Sequence, residues 1–281
     1  MESKIAVLID GENFRKCLCK LFPHKFYYLP TAADWTSLFR SVSIEGKFIR
    51  AYWYVIDEVD IGPYSVDGLF AKKELGAIKK QMLKSRSHLH VFAKKLNINV
   101  PQGSDIFQHQ GLIKVKLPAD PKFYKEIIEA RKKEMENRAR SWVHQQDGIQ
   151  ARCDFIEFRR SGSIRYDAVS DRLLNEKGVD VNLGSDIVDF RTKFDHLILF
   201  SGDADYIPAI QKYKDSARHV TAVTFKTQDG ELLPGGARRL KLKVDKTVEM
   251  SYTTLAGFLH LTSAPEDIVE EPVEFAEDSS V

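Results

Sequence analysis

Five aspartates stand where the chain passes from apolar to polar: Asp10, Asp180, Asp186, Asp203 and Asp205. Asp10 closes the run Ile5-Ala6-Val7-Leu8-Ile9, and Asp203 and Asp205 follow the run 197–200 after only Ser201-Gly202. A lone aspartate at such a place is commonly a turn former or a helix cap. Five of them point instead to one shared crevice. Clustered carboxylates repel and raise one another's pKa. A divalent cation relieves that repulsion, and an all-oxygen donor set selects hard ions, Mg²⁺ or Mn²⁺. Such a site polarises a phosphate and lowers the pKa of bound water, which is the chemistry of phosphodiester hydrolysis.

Regular elements must bring these acids together. The run 5–9 is continuously apolar, as a parallel strand covered on both faces requires. Gly11-Glu12-Asn13-Phe14 makes a turn, and a helix follows to residue 21. Further strands are expected at 48–56, 88–92, 153–160, 196–201 and 219–225, and helices at 69–84, 168–175, 186–191 and 206–214. Asp120-Pro121 reads as the cap and first position of a long helix to residue 146. Strands alternating with helices predict a doubly wound α/β sheet. In such a sheet the residues past the carboxyl ends of the strands line one crevice, which Asp10, Asp203 and Asp205 would share and Asp180 and Asp186 could reach.

Composition bounds the remaining classes. Three cysteines, Cys17, Cys19 and Cys153, are an odd number in a long chain and suit a reducing compartment, hence the cytoplasm. No second Cys or His pair follows Cys17 and Cys19, so no zinc site is expected. No apolar run is long enough to span a membrane, and the N-terminal residues do not read as a secretory signal. The 42 basic residues meet 40 acids. Seven of those acids lie in 266–281, which reads as a disordered acidic tail and leaves 42 bases against 33 acids in the body. Residues 71–146 hold 17 Lys or Arg against 7 Asp or Glu. With Phe123, Tyr124 and Trp142 among them, they form either a polyanion-binding surface or a solvated helix face. His88 and His90 would share one face of a strand and read as structural. Gly235-Gly236 beside Arg238-Arg239 reads as a turn, and no Walker-type loop occurs anywhere.

At three places the chain resembles the NYN domains, the LabA-like branch of the PIN-domain nuclease superfamily. Residues 5–13, IAVLIDGEN, look like the family's opening motif. Lys177-Gly178-Val179-Asp180 with Asp186 resembles the middle motif, and residues 200–208, FSGDADYIP, the third. The resemblance covers 4–56 and roughly 150–225. It implies a PIN-like, Rossmann-like three-layer α/β/α sandwich with a mainly parallel sheet, and metal-dependent cleavage of RNA. By motif position, Asp10, Asp180, Asp186 and Asp203 would bind the metal, with Asp10, Asp186, Asp203 and Asp205 serving catalysis. Asn13 and Lys177 would meet the substrate. The stretch 231–250 departs from the family pattern and looks like a loop and a strand, so Asp245 receives no role.

The expected organisation is a nuclease domain over 1–230 with a basic, largely helical insertion at about 60–150. An extension over 231–265 and the acidic tail follow. Arg131, Lys132 and Lys133 in the insertion are expected to contact RNA, or the insertion meets a protein partner or a second copy of the chain. The expected function is a metal-dependent endoribonuclease using Mg²⁺ or Mn²⁺. The alternatives are a non-catalytic RNA-binding or adaptor protein on the same scaffold, and a phosphatase using the same crevice.

Overall fold

A computed structural model describes residues 2–261, apart from 24, 26, 27, 63, 64, 235 and 236, together with 274–275. In chain order the elements begin with β1 (Lys4–Asp10), α1 (Gly11–Leu21), α2 (Trp35–Val42), β2 (Lys47–Val55), β3 (Glu58–Asp60), α3 (Val66–Lys72), α4 (Leu75–Met82), α5 (Arg86–Lys95), α6 (Gln110–Lys116) and α7 (Pro121–Arg152). They continue with β4 (Ile156–Arg160), β5 (Ser163–Asp167), β6 (Arg172–Lys177), α8 (Val179–Asp189), β7 (His196–Phe200), α9 (Ile207–Lys214), β8 (His219–Lys226), β9 (Leu232–Leu233), α10 (Ala237–Lys241), β10 (Lys246–Ser251), α11 (Tyr252–Phe258) and β11 (Glu274–Phe275). The chain divides into two units. Among the described residues, the first takes in those within 2–57, 141–163 and 177–261, and the second those within 58–140 and 164–176, with 274–275.

In the first unit the strands run β10-β8-β7-β1-β2-β4, each pair parallel, with β9 antiparallel on β8. β1 lies near the middle and is buried from Ile5 onward, which is why its apolarity does not alternate. Phe14, Trp35 and Phe39 from α1 and α2 pack tilted or edge-on against Trp53 and Phe200 on one face of the sheet. Leu183, Ile187, Ile210 and Tyr213 from α8 and α9 join Leu8, Tyr52 and Leu199 in a core on the other face. This is the three-layer α/β sandwich that the sequence predicts. Trp142 is buried and stacks on Tyr28 at 5.3 Å between centroids.

In the second unit the strands run β11-β6-β5-β3, and buried Ile78, Met82, Leu89, Phe92, Tyr124 and Ile127 supply its helical core. Several expectations change here. Residues 88–92 are helical, within α5, because Ser85 caps that helix by accepting the His88 N–H. A helix also turns the two histidines apart, His88 inward and His90 outward. Residues 168–175 are no helix. Asp167 accepts the Val169 N–H and the Ser170 hydroxyl, which holds a turn before β6. The expected helix 69–84 is two, α3 and α4, parted by extended backbone at Lys73 and Glu74. The Asp120 cap is present, accepting the Lys122 N–H at 2.9 Å, and α7 runs on to Arg152.

In the first unit, α8 starts at Val179 rather than 186, and α10 precedes β10 where a loop was expected. Gly235-Gly236, and the tail 266–281 other than Glu274–Phe275, lie outside the described residues. Among the described residues no helix is long and apolar enough to cross a membrane.

Candidate active site

Asp10 is the last residue of β1 and the cap of α1. Its Oδ1 accepts the Asn13 N–H at 3.0 Å, which fixes the strand-to-helix turn. Gly11 is required there by space: a Cβ would stand 2.3 Å from the Tyr54 carbonyl oxygen on β2. The other oxygen, Oδ2, accepts the Ser201 hydroxyl at 2.9 Å and lies 3.4 Å from the Tyr206 hydroxyl. Asp10 is 4% exposed. Burial pushes its carboxyl up to about 7 against the hydrogen bonds from Asn13 and Ser201, and the charges of Asp180 and Asp203 push the same way.

Ser201, just past β7, also accepts the Asp203 N–H at 3.1 Å. Asp203 in turn accepts the Asp205 N–H at 2.8 Å and so caps the turn Ala204–Tyr206 that leads into α9. That turn delivers the buried Tyr206 hydroxyl to Asp180, where it donates at 2.8 Å. Asp180 sits at the start of α8, behind Gly178, whose φ of +98° a side chain would strain. Burial, then the charges of Asp10 and Asp180, hold Tyr206 firmly protonated. Asp10, Asp180 and Asp203 are therefore gathered around one tyrosine and one serine, both absent from the acid pattern in the sequence. Their position in FSGDADY was the available signal.

Asp186 is elsewhere on α8. It accepts the Tyr54 hydroxyl at 2.6 Å and pairs with Arg159. The Arg159 guanidinium lies 4.2 Å over the Tyr52 ring and also meets Glu157. β1, β2 and β4 place Asp10, Tyr54 and Arg159 in one row across the sheet. Tyr54 and Arg159 carry no signal in the sequence, because nothing local links them to the acids. Asp205 is exposed at the turn, and Lys177 is exposed at the end of β6. The contact between Asn13 and Asp10 is made by its backbone N–H.

The basic trio lies in the second unit and is not uniform. Arg131 is only 15% exposed and bonds Glu134 at 2.7 Å with Asp171 beyond it, so it is a structural ion-pair residue rather than an open phosphate contact. Lys132 is half-buried and Lys133 exposed.

The oxygen donors around Asp10 suit a hard divalent ion in kind, and a cation would relieve the burial and repulsion that push Asp10 up. As they stand, no three His, Cys, Asp or Glu side chains among the described residues converge on a single ion position. Hydrogen bonds from Ser201 and Tyr206 hold the acids instead.

A family model described as "NYN domain" matches residues 97–235. That span holds Asp180, Asp186, Asp203 and Asp205, while Asp10 lies before it. The low amplitude and bright protein LabA of Synechococcus elongatus is 27% identical over 103 residues, 37% of this chain. The match spans 50% of LabA's own length. A crystal structure of a Vibrio parahaemolyticus protein of unknown function covers 88% of this chain and 93% of its own, at 15% identity and a TM-score of 0.41.

Proposed function

Residues 97–235 of this chain are an NYN domain, of the PIN-like nuclease superfamily, and on that premise we propose that the protein is a metal-dependent ribonuclease. One observation supports this above the others: a buried strand-end carboxyl, Asp10, coupled to Asp180 and Asp203 at the carboxyl edge of a parallel sheet. NYN nucleases generally use divalent metals. Asp10, Asp180 and Asp203 would hold Mg²⁺ or Mn²⁺, which supplies Lewis acidity and a bound water of lowered pKa.

The chain's own groups do the rest. Ser201 holds Asp10 Oδ2 and the backbone of Asp203 in fixed relation. Tyr206 keeps a proton between Asp10 and Asp180. Asp186 anchors Arg159, whose charge faces the phosphate backbone, and Asn13 and Lys177 complete the substrate contacts. Asp205, exposed beside Asp203, orients the attacking water. Lys132 and Lys133 add sequence-independent contacts to RNA.

A non-catalytic RNA-binding role has one observation in its favour: the acids are already satisfied by Ser201, Tyr206 and Arg159. Incubating the purified protein with mixed RNA and DNA in Mn²⁺, Mg²⁺ or EDTA separates the two. The nuclease cuts RNA with metal and spares it in EDTA. Binding without cleavage under every condition makes the protein an adaptor, and cleavage undiminished by EDTA removes the metal from the reaction.

A further inference from the structure

α10 (Ala237–Lys241) falls in the stretch 231–250, where the chain departs from the family pattern. The chain reaches it from β9, which pairs with the last residues of β8, Leu233 with Phe225 and Leu232 with Lys226. β1, β7 and β8 are parallel, so this is the edge at which Asp10 ends β1 and Ser201 follows β7. α10 packs against the turn Ala204–Tyr206, the turn that Asp203 caps. Leu240 fixes it there, fully buried in the same core as Tyr206 and Ile210.

Successive helix residues lie about 100° apart, so with Leu240 turned inward Arg238 and Arg239 face outward, and both are exposed. Neither makes a hydrogen bond, an ion pair or a ring contact among the described residues. Elsewhere in the first unit Arg15, Arg50, Arg160 and Arg218 each bind an acid: Glu12, Glu157, Asp147 and Asp195 in turn. α10 has no acid of its own to offset its two guanidinium groups. Carboxylates clustered at a crevice repel phosphate, and uncompensated positive charge beside them draws a polyanion in. Arginine presents a planar fork of donors that matches a phosphate.

We propose that Arg238 and Arg239 hold backbone phosphates of an RNA strand that runs past the Asp10 crevice, beyond the bond that is cut. This rests on the nuclease reading of that crevice. It narrows the substrate to a polynucleotide long enough to reach α10, rather than a small phosphoester.

The test titrates the full chain in EDTA with a fluorescein-labelled RNA of about twelve nucleotides, within the span of single-strand sites. Anisotropy is read from low to high salt. Arg238→Ala with Arg239→Ala is expected to bind about tenfold more weakly, and to flatten the salt dependence by about 0.7 log–log units per lost contact. Its melting temperature should match the parent's. Arg238→Lys with Arg239→Lys keeps the charge and should keep the slope. With Mn²⁺ the alanine variant should raise KM for the same RNA about tenfold and change kcat less than about twofold. That penalty should shrink on a dinucleotide, which is too short to reach α10. Equal affinity and slope in the parent and the alanine variant overturn the proposal. Weaker binding without a higher KM places the arginines on a surface unrelated to the cut and overturns it too. A parent that binds RNA through these arginines but cuts none in Mn²⁺ fails the nuclease reading alone, and the contact between α10 and RNA stands.

Discussion

The Tyr206 hydroxyl lies 2.8 Å from Asp180 and 3.4 Å from Asp10, so one proton is shared between two carboxylates. Removing it leaves both acids less satisfied when no cation is present. Tyr206→Phe is expected to lose about 1–3 kcal/mol in EDTA, and to recover more stability on adding Mn²⁺ than the parent does. Urea unfolding with and without Mn²⁺ reads this directly. Equal losses in both buffers would mean that the hydroxyl acts independently of any cation at the acids.

Asp10 gives a pH dependence opposite in sign to that of an ion-paired acid. Its folded value, about 7, is above the ordinary 3.8, so the unfolded chain ionises first. Stability is complete below pH ~4, falls as pH rises toward 7, and is then constant, a loss of at most about 4 kcal/mol in metal-free buffer. Asp10→Asn removes this component, so the parent-minus-variant difference should slope only between pH ~4 and ~7. The same variant, and Asp203→Asn, should lose most RNA cleavage while remaining folded. A flat difference curve means that Asp10 is not buried as a neutral acid.

Arg159 and Asp186 form one unit with Tyr54. Asp186 is 22% exposed on its side chain, and losing its cation leaves a partly buried charge unpaired. Arg159→Ala should cost about 1–3 kcal/mol, and Arg159→Ala with Asp186→Asn less than the sum of the two singles. If Asp186 is a further metal ligand, Arg159→Ala also frees it and tightens Mn²⁺ binding in calorimetry. Unchanged Mn²⁺ affinity would confine Asp186 to holding the arginine.

The basic trio should separate by burial. Although burial pushes Asp171 up, Arg131 and the Ser87 and Tyr166 hydroxyls hold its carboxyl below the ordinary range. Arg131→Ala should therefore destabilise the protein by about 1–3 kcal/mol. Lys132→Glu with Lys133→Glu should leave stability unchanged and lower the salt slope of RNA affinity by about one log–log unit per lost contact. A parent and double variant with the same slope would leave those lysines out of RNA binding.

The sheet was legible because its strands are buried on both faces: 5–9 and 197–200 have no polar interruption, as strands of a covered parallel sheet require, and both end at once in turn residues. Asp10 and Asp203 followed from their places past those runs. Tyr206, Tyr54 and Arg159 were hidden because their role depends on pairings 26, 132 and 27 residues apart in sequence. Residues 88–92 misled because a short apolar stretch fits a strand or a helix equally, and the deciding cap, Ser85, stood outside it. Arg131 misled because a charge run in sequence does not reveal which member turns inward.

β4 carries two adjacent arginines whose fates diverge. Arg159 shares its row with Tyr54 and Asp10, whereas Arg160 reaches Gln146 at 2.8 Å and Asp147 at 2.5 Å on α7. Successive side chains on a strand leave opposite faces, and neighbouring strands lie ~4.8 Å apart. The backbone ladder thus works as a ruler, setting Arg159 two strand spacings, about 10 Å, from Asp10 along the sheet. No loop movement alters that interval. A one-residue slip of β4 would exchange the two arginines, bringing the helix-bound one to the crevice face and leaving Asp186 without its counter-charge.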